Sequence, residues 1–275
     1  MKKLFAACVL IFALASCACA EGLKIGILAR AADESRFNAG VKNSWRWSVE
    51  KSDHSTQDKY IFFDDSASIL MALSEGDIDE SNAPDIIAEY ITLINPDYEI
   101  SCAMRVPVNI GFVFGFHRAN AELCRKFNQV LAEMTQDRTL KKIEDEYLAR
   151  PLEKRNNIVK FKTFPGAGMV KVAVTGDIPP IDYFTPYGKA AGFSTALLSE
   201  IGRRLHLNIS LVNVHTASRV PTLLSGRADV VFWFILGLFD SNENIIFSMP
   251  YYRFNTFLHI SRKKQTPVSV KLSKR

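Results

Sequence analysis

The sequence lacks the short motifs that mark the common catalytic chemistries. It has no Gly-x-Ser-x-Gly turn to present a nucleophilic serine, no Gly-rich loop closing on Lys-Ser or Lys-Thr to cradle phosphates, and no His-Glu-x-x-His pair for zinc. Its five histidines, His54, His117, His206, His215 and His259, fall in separate stretches, so no metal-ligand spacing arises. These absences argue against an enzyme, a metal site or a cofactor. Excess charge of one sign is also missing. Lys and Arg number 34 against 29 Asp and Glu, a formal net charge of +5, and the signs are interspersed apart from a basic tail, Arg262–Arg275. Such a balance does not suggest nucleic-acid binding, and the tail reads as a solvated terminus. No later apolar run is long enough to span a membrane. Cysteine is scarce, and three of the five precede Glu21, leaving Cys102 and Cys124 in the body of the chain. Either those two form a disulfide in an oxidising compartment or they are two buried thiols.

What is present begins with an export signal over residues 1–20. Met1-Lys2-Lys3 supplies a positive end, and Leu4–Ala15 is apolar but too short to span. Leu14-Ala15-Ser16-Cys17 has the form of a bacterial lipobox, which would make Cys17 a lipidated first residue of the mature protein. The rival reading is ordinary cleavage after Ala18-Cys19-Ala20. Either way the chain is expected outside the cytoplasm, in the periplasm or cell envelope, with membrane attachment through the lipid in the first case. With 275 residues, 48% of them hydrophobic, it can bury one two-lobed unit or two small domains.

Along the mature chain, Leu23–Leu28 reads as a buried strand. Residues 30–59, which carry Trp45 and Trp47, are polar and irregular, and read either as a strand, from their alternation, or as a packed surface loop. Ser66 is a helix cap candidate, Ile69, Leu70 and Leu73 share a helical face, and Gly76 supplies a left-handed stop. A second helix runs from about Asp85 to Ile94. Residues 99–116 predict buried strands, continuously apolar at Ile110–Phe116. From Asn120 the spacing Leu123, Phe127, Val130, Leu131, Met134 is helical, and Leu140, Ile143 and Tyr147 mark a shorter helix. Residues 151–168 have no period and read as a connector. Beyond them strands at 170–174, 209–214 and 229–234 alternate with helices over 193–205 and 220–224, the second stopped at Gly226. That alternation predicts an α/β fold with parallel sheets flanked by helices.

Several motifs stand in a telling order: Val170-Lys-Val-Ala-Val-Thr-Gly-Asp-Ile-Pro-Pro-Ile-Asp-Tyr183, then Gly188-Lys189, Gly192-Phe193, Ser225-Gly-Arg-Ala-Asp229 and Phe247-Ser-Met-Pro-Tyr-Tyr252. In this spacing the second half resembles the opening lobe of the amino-acid-type periplasmic solute-binding proteins that feed ABC transporters. The first half, through Ala72-Leu-Ser-Glu-Gly-Asp-Ile-Asp79, Asn95-Pro96, Asn120-Ala-Glu-Leu123, Phe127-Asn128 and Asp137-Arg-Thr-Leu140, resembles what normally follows that lobe. The resemblance implies a type II two-lobed fold in circularly permuted order. It places lobe-two-like residues at 22–118 and helices packing on the other lobe at 119–150. The connector then follows at 151–168, with lobe-one-like residues at 169–262 and the tail at 263–275. It implies a receptor for an amino acid or related small solute, with ABC permease subunits as partners. A sensory or scaffold protein that has altered or lost ligand binding is the alternative, and a lyase-like enzyme a distant third.

Small ligands in such folds sit between lobes, at loops beyond the carboxyl ends of strands. The candidates there are Asp177, Ile178 and Tyr183 in the Pro-rich turn, Arg219 in the next loop, and Trp233 and Phe234 at the end of a strand. Each has a plainer reading: Tyr183 as core, Arg219 as a solvated helix residue, and Phe232–Phe239 as core strand or cleft filling. From the other half comes Asp85, as ligand contact or helix cap. The resemblance also implies a carboxylate-binding arginine and hydroxyls where this chain has Ser241, Leu236 and Leu238.

Overall fold

The computed structural model describes residues 22–28, 58–105, 111–149, 158–233, 242–254 and 256–263; for 101–105 and Trp233 only the backbone is described. The export signal with Cys17, the stretch around Trp45 and Trp47, Phe234, Leu236, Leu238, Ser241 and the end of the basic tail lie outside these residues.

In chain order the described elements are β1 (Lys24–Leu28), β2 (Lys59–Phe63), α1 (Ser66–Glu75), β3 (Glu80–Pro84), α2 (Asp85–Ile94), β4 (Tyr98–Arg105) and β5 (Gly111–His117). There follow α3 (Ala121–Gln136), α4 (Thr139–Glu144) with a wider turn at Asp145–Ala149, β6 (Met169–Val174), β7 (Asp177–Ile178), β8 (Asp182–Phe184) and β9 (Ala190–Ala191). The remainder are α5 (Phe193–Leu205), β10 (Asn208–Asn213), α6 (Arg219–Leu224), β11 (Val230–Trp233), β12 (Ile245–Phe247), β13 (Tyr252–Arg253) and β14 (Thr256–Arg262). The fold is α/β.

Local chemistry sets the element ends. Helix α1 starts one residue later than its cap: Asp65, in extended conformation, accepts the Ser68 N–H at 2.7 Å, so Asp65 and not Ser66 is the cap. Ser66 is thereby already helical, and its own N–H stays available to an outside partner. The helix stops at Gly76, whose φ of 83° is the left-handed conformation a side chain disfavours. In α2, Asp85 occupies the first turn and accepts the Ile86 N–H at 2.7 Å.

Two sheets carry the architecture. The first runs β2-β1-β3-β14-β4, with β1 parallel to β2 and β3, and β14 antiparallel to β3 and β4. The second runs β10-β6-β11-β5-β12, with β6 parallel to β10 and β11, and β5 antiparallel to β11 and β12. Each sheet thus receives one antiparallel strand from the other half of the chain. The expected boundary near residue 118 is corrected accordingly: β4 and β5 are neighbours in sequence, yet they lie in different sheets. An apolar run shows that a strand is buried but not which sheet buries it.

Strand β5 is the heart of the second sheet. Phe112, Val113, Phe114 and Phe116 are fully buried there, and Phe127 of α3 meets Phe114 and Phe116 edge-on at centroid distances of 5.5 and 5.1 Å. Burying one such ring is worth about 1.5–3 kcal/mol. Helix α3 presents Cys124, Phe127, Val130, Leu131 and Met134 to this core. It is tied to α5 through Arg204, which reaches Asp137 at 2.7 Å, Thr139 at 2.9 Å and Glu200 at 2.8 Å. A smaller core in the first sheet gathers Ile69, Leu73, Ile78, Ala88, Leu258 and Ile260, while Ile87 of α2 joins the larger one.

The connector expected over 151–168 is pinned from Ile158 onward. Ile158 bridges to Ala191, Val159 donates to the Ala190 carbonyl at 2.8 Å, and Phe164 exchanges hydrogen bonds with the Asn208 amide. These non-periodic residues satisfy their backbone through loop contacts that leave no period to read.

Candidate functional site

The turn after β6 is shaped by its own residues. At Gly176, φ is 69° and a Cβ would lie 2.2 Å from the Phe184 ring, so the turn requires glycine. Strand β7 then pairs with β8, setting Asp177 opposite Tyr183 and Ile178 opposite Asp182. Tyr183 is half-buried beside Asp177, whereas Ile178 is buried in the main core.

Asp177 reaches the start of α1. Its Oδ2 accepts the backbone N–H of Ser66, the first residue of α1, at 2.8 Å across 111 residues of sequence. Its Oδ1 is buried with no hydrogen-bond partner among the described residues. The helix start therefore meets two carboxylates, Asp65 on the Ser68 N–H and Asp177 on the Ser66 N–H, as the positive end of the helix dipole favours.

Beneath the turn lies a polar cluster that sequence reasoning missed. Asp182 is 5% exposed, and burial pushes its carboxyl up to about 7, although the Gly176 and Thr175 N–H groups, at 3.3 and 3.2 Å, and the charge of Arg219 pull the other way. Ser194 and Tyr251 share a buried hydroxyl hydrogen bond of 2.9 Å. The hydroxyls of Thr195 and Thr216 are buried without partners among the described residues. Nothing local in Pro180-Ile181-Asp182-Tyr183 marks Asp182 as buried, because its burial is produced by segments remote in sequence.

Arg219 is 5% exposed and donates to the Phe232 carbonyl at 2.8 Å and the Thr216 carbonyl at 3.4 Å. The reading of Arg219 as a solvated helix residue is corrected, since its guanidinium holds backbone inside the fold. Trp233 pairs with Val113 through the backbone of β11. Asp85, in the first turn of α2, has a different setting. Burial raises its carboxyl above the usual range, and its charge adds to the burial that drives the neighbouring Tyr252 hydroxyl up to about 12.

Two other features were ambiguous or invisible in the sequence. Cys124 is a free, buried thiol that donates to the Phe247 carbonyl at 3.5 Å, and burial raises its pKa; the side chain of Cys102 lies outside what the structure describes. His259 of β14 meets Glu80 of β3 at 2.8 Å inside the first sheet. Among the described residues, no group of three His, Cys, Asp or Glu side chains could hold a metal ion, and no helix is long and apolar enough to cross a membrane.

Residues 170–270 match the family model of bacterial extracellular solute-binding proteins, family 3. No curated protein sequence matches the chain. Among solved structures, the chain is similar to the ligand-binding component of an ABC-type import system from Staphylococcus aureus with zinc bound, at 12% identity and a TM-score of 0.42 over 87% of this chain and 65% of that one. It is similar to the alkanesulfonate-binding protein of Xanthomonas axonopodis pv. citri bound to MOPS, at 11% identity and a TM-score of 0.40 over 88% and 66%. It is also similar to the GluR0 ligand-binding core in complex with L-glutamate, at 12% identity and a TM-score of 0.43 over 90% and 87%. The chain thus spans about two-thirds of the length of the first two.

Proposed function

We propose that the chain is an extracytoplasmic solute-binding protein that receives an amino acid or related small solute for ABC-type uptake. One observation carries this reading: the family match over 170–270 contains the strand and turn that bring Asp177 to the first residue of α1 in the other half of the chain. The permuted order is part of the same proposal. Numbering only the strands that each half contributes to its own sheet, both sheets have the order second, first, third, visiting strand, fourth, with β14 visiting the first sheet and β5 the second. A chain opened at the crossover into the first sheet and rejoined through residues 150–168 would have this pattern.

The ligand is one with little need for a carboxylate clamp. Ser241 stands where the resembled proteins use arginine, and the buried Arg219 donates to the Phe232 carbonyl. A free polar amino acid would leave its carboxylate underpaired in a closed cleft, forgoing bonds worth about 1.5–3 kcal/mol each. In this proposal Tyr183, Trp233 and Phe234 are assigned as the aromatic contacts, with Ile178 in the same turn and Asp177 as the polar contact. Membrane attachment through lipidated Cys17 would hold the receptor near its permease. Replacing Cys17 with Ser should release it from the membrane fraction.

Calorimetry and thermal shift of the mature protein against a panel of amino acids and less polar solutes test the reading. A true ligand at one hundred times its Kd stabilises by about 2.7 kcal/mol. Trp233→Ala should weaken binding more than Asp85→Ala. Tight binding of glutamine that survives Trp233→Ala would refute the ligand class, and no stabilisation by any solute would favour the sensory or scaffold alternative.

A further inference from the structure

The bond between Asp177 and Ser66 joins the turn after β6, in the second sheet's unit, to the first turn of α1, in the first sheet's unit. It is made by the chain itself, with a carboxylate placed where a helix start attracts an anion. Asp65 already serves the Ser68 N–H, so carboxylates occupy two of the free donors of this turn. We infer that Asp177 is a built-in latch that holds the two units together without a ligand, because its carboxylate supplies the anion that a helix terminus would otherwise draw from solution. A second consequence concerns selectivity. An anionic solute seeking the Ser66 N–H must displace Asp177, whereas a neutral or cationic one need not. The inference does not depend on which solute is bound, or on whether one is.

Both ends of the bond can be removed separately. Asp177→Ala deletes the acceptor. Ser66→Pro deletes the donor with little local disturbance, because proline suits the first helical position and the preceding Asp65, at φ −148° and ψ 161°, has the extended backbone that proline requires of its predecessor. In small-angle scattering of the ligand-free mature protein, each single variant should show the same increase in radius of gyration, and the double variant no further increase. An unchanged radius in Ser66→Pro would overturn the latch, even if Asp177→Ala expanded, because the claim concerns the bond and not the bulk of the carboxylate. A further expansion in the double variant would also overturn it. Circular dichroism checks that each variant is folded, and if Asp177→Ala is not, Ser66→Pro decides alone.

Discussion

Asp182 carries the clearest consequence at the residue scale. Its carboxyl, ordinarily near 3.8, titrates at about 7 in the fold because burial penalises the charged form. Between those values the folded protein holds a proton that the unfolded chain has released. This contribution to stability is therefore fully present below about 3.8 and declines as pH rises towards 7, after which it is gone. Denaturant melts of the parent and of Asp182→Asn should diverge over that range, the parent losing at most about 1.4 kcal/mol per pH unit relative to the variant. Parallel pH profiles would refute the assignment. Glycine supplies a second residue-scale case. Gly192 has a φ of 105°, and a Cβ there would sit 2.4 Å from the Ile181 carbonyl oxygen. Gly192→Ala should cost roughly 1–3 kcal/mol or more in a urea melt, from backbone strain alone.

Elements were legible where one periodicity ran without interruption. Helix α3 could be read from Leu123, Phe127, Val130, Leu131 and Met134, and four of these five are buried on its inner face; Leu123 sits at the rim. Phe127→Ala should remove the edge-on contacts with Phe114 and Phe116 and cost about 3–5 kcal/mol, measured by chemical denaturation. Strand β3 was harder to read, because Glu-Ser-Asn-Ala-Pro has neither alternation nor β-branched residues. It is a strand because its neighbours make it one: Ser81 donates to the Gly26 carbonyl at 2.8 Å and Glu80 meets His259 from β14. Strands completed by partners from the far end of the chain do not reveal those partners locally, and the place of β14 between β3 and β4 was likewise unread.

At the scale of the molecule, the exchange of β5 and β14 makes each half incomplete. A fragment of residues 158–263 would lack β5 and with it Phe112, Phe114 and Phe116, the centre of its core. A fragment of residues 22–149 would lack β14, which lies between β3 and β4. Neither fragment should give a cooperative thermal transition by circular dichroism, while mixing the two should restore one. Independent cooperative melting of either fragment would show that the visiting strand is dispensable.

The sequence by itself determined the α/β class, the positions of the strongly periodic helices, the stop at Gly76 and the motif order that singled out the turn at Asp177. Each follows from nearest neighbours along the chain, where side-chain period and backbone preference act directly. Only the tertiary structure decided that β4 and β5 part into different sheets, that Arg219 holds a carbonyl inside the fold, that Asp182 is buried, and that Asp177 meets the N–H of Ser66. Those outcomes depend on which distant segments exclude water from a given side chain, and burial by remote partners leaves no period in the sequence.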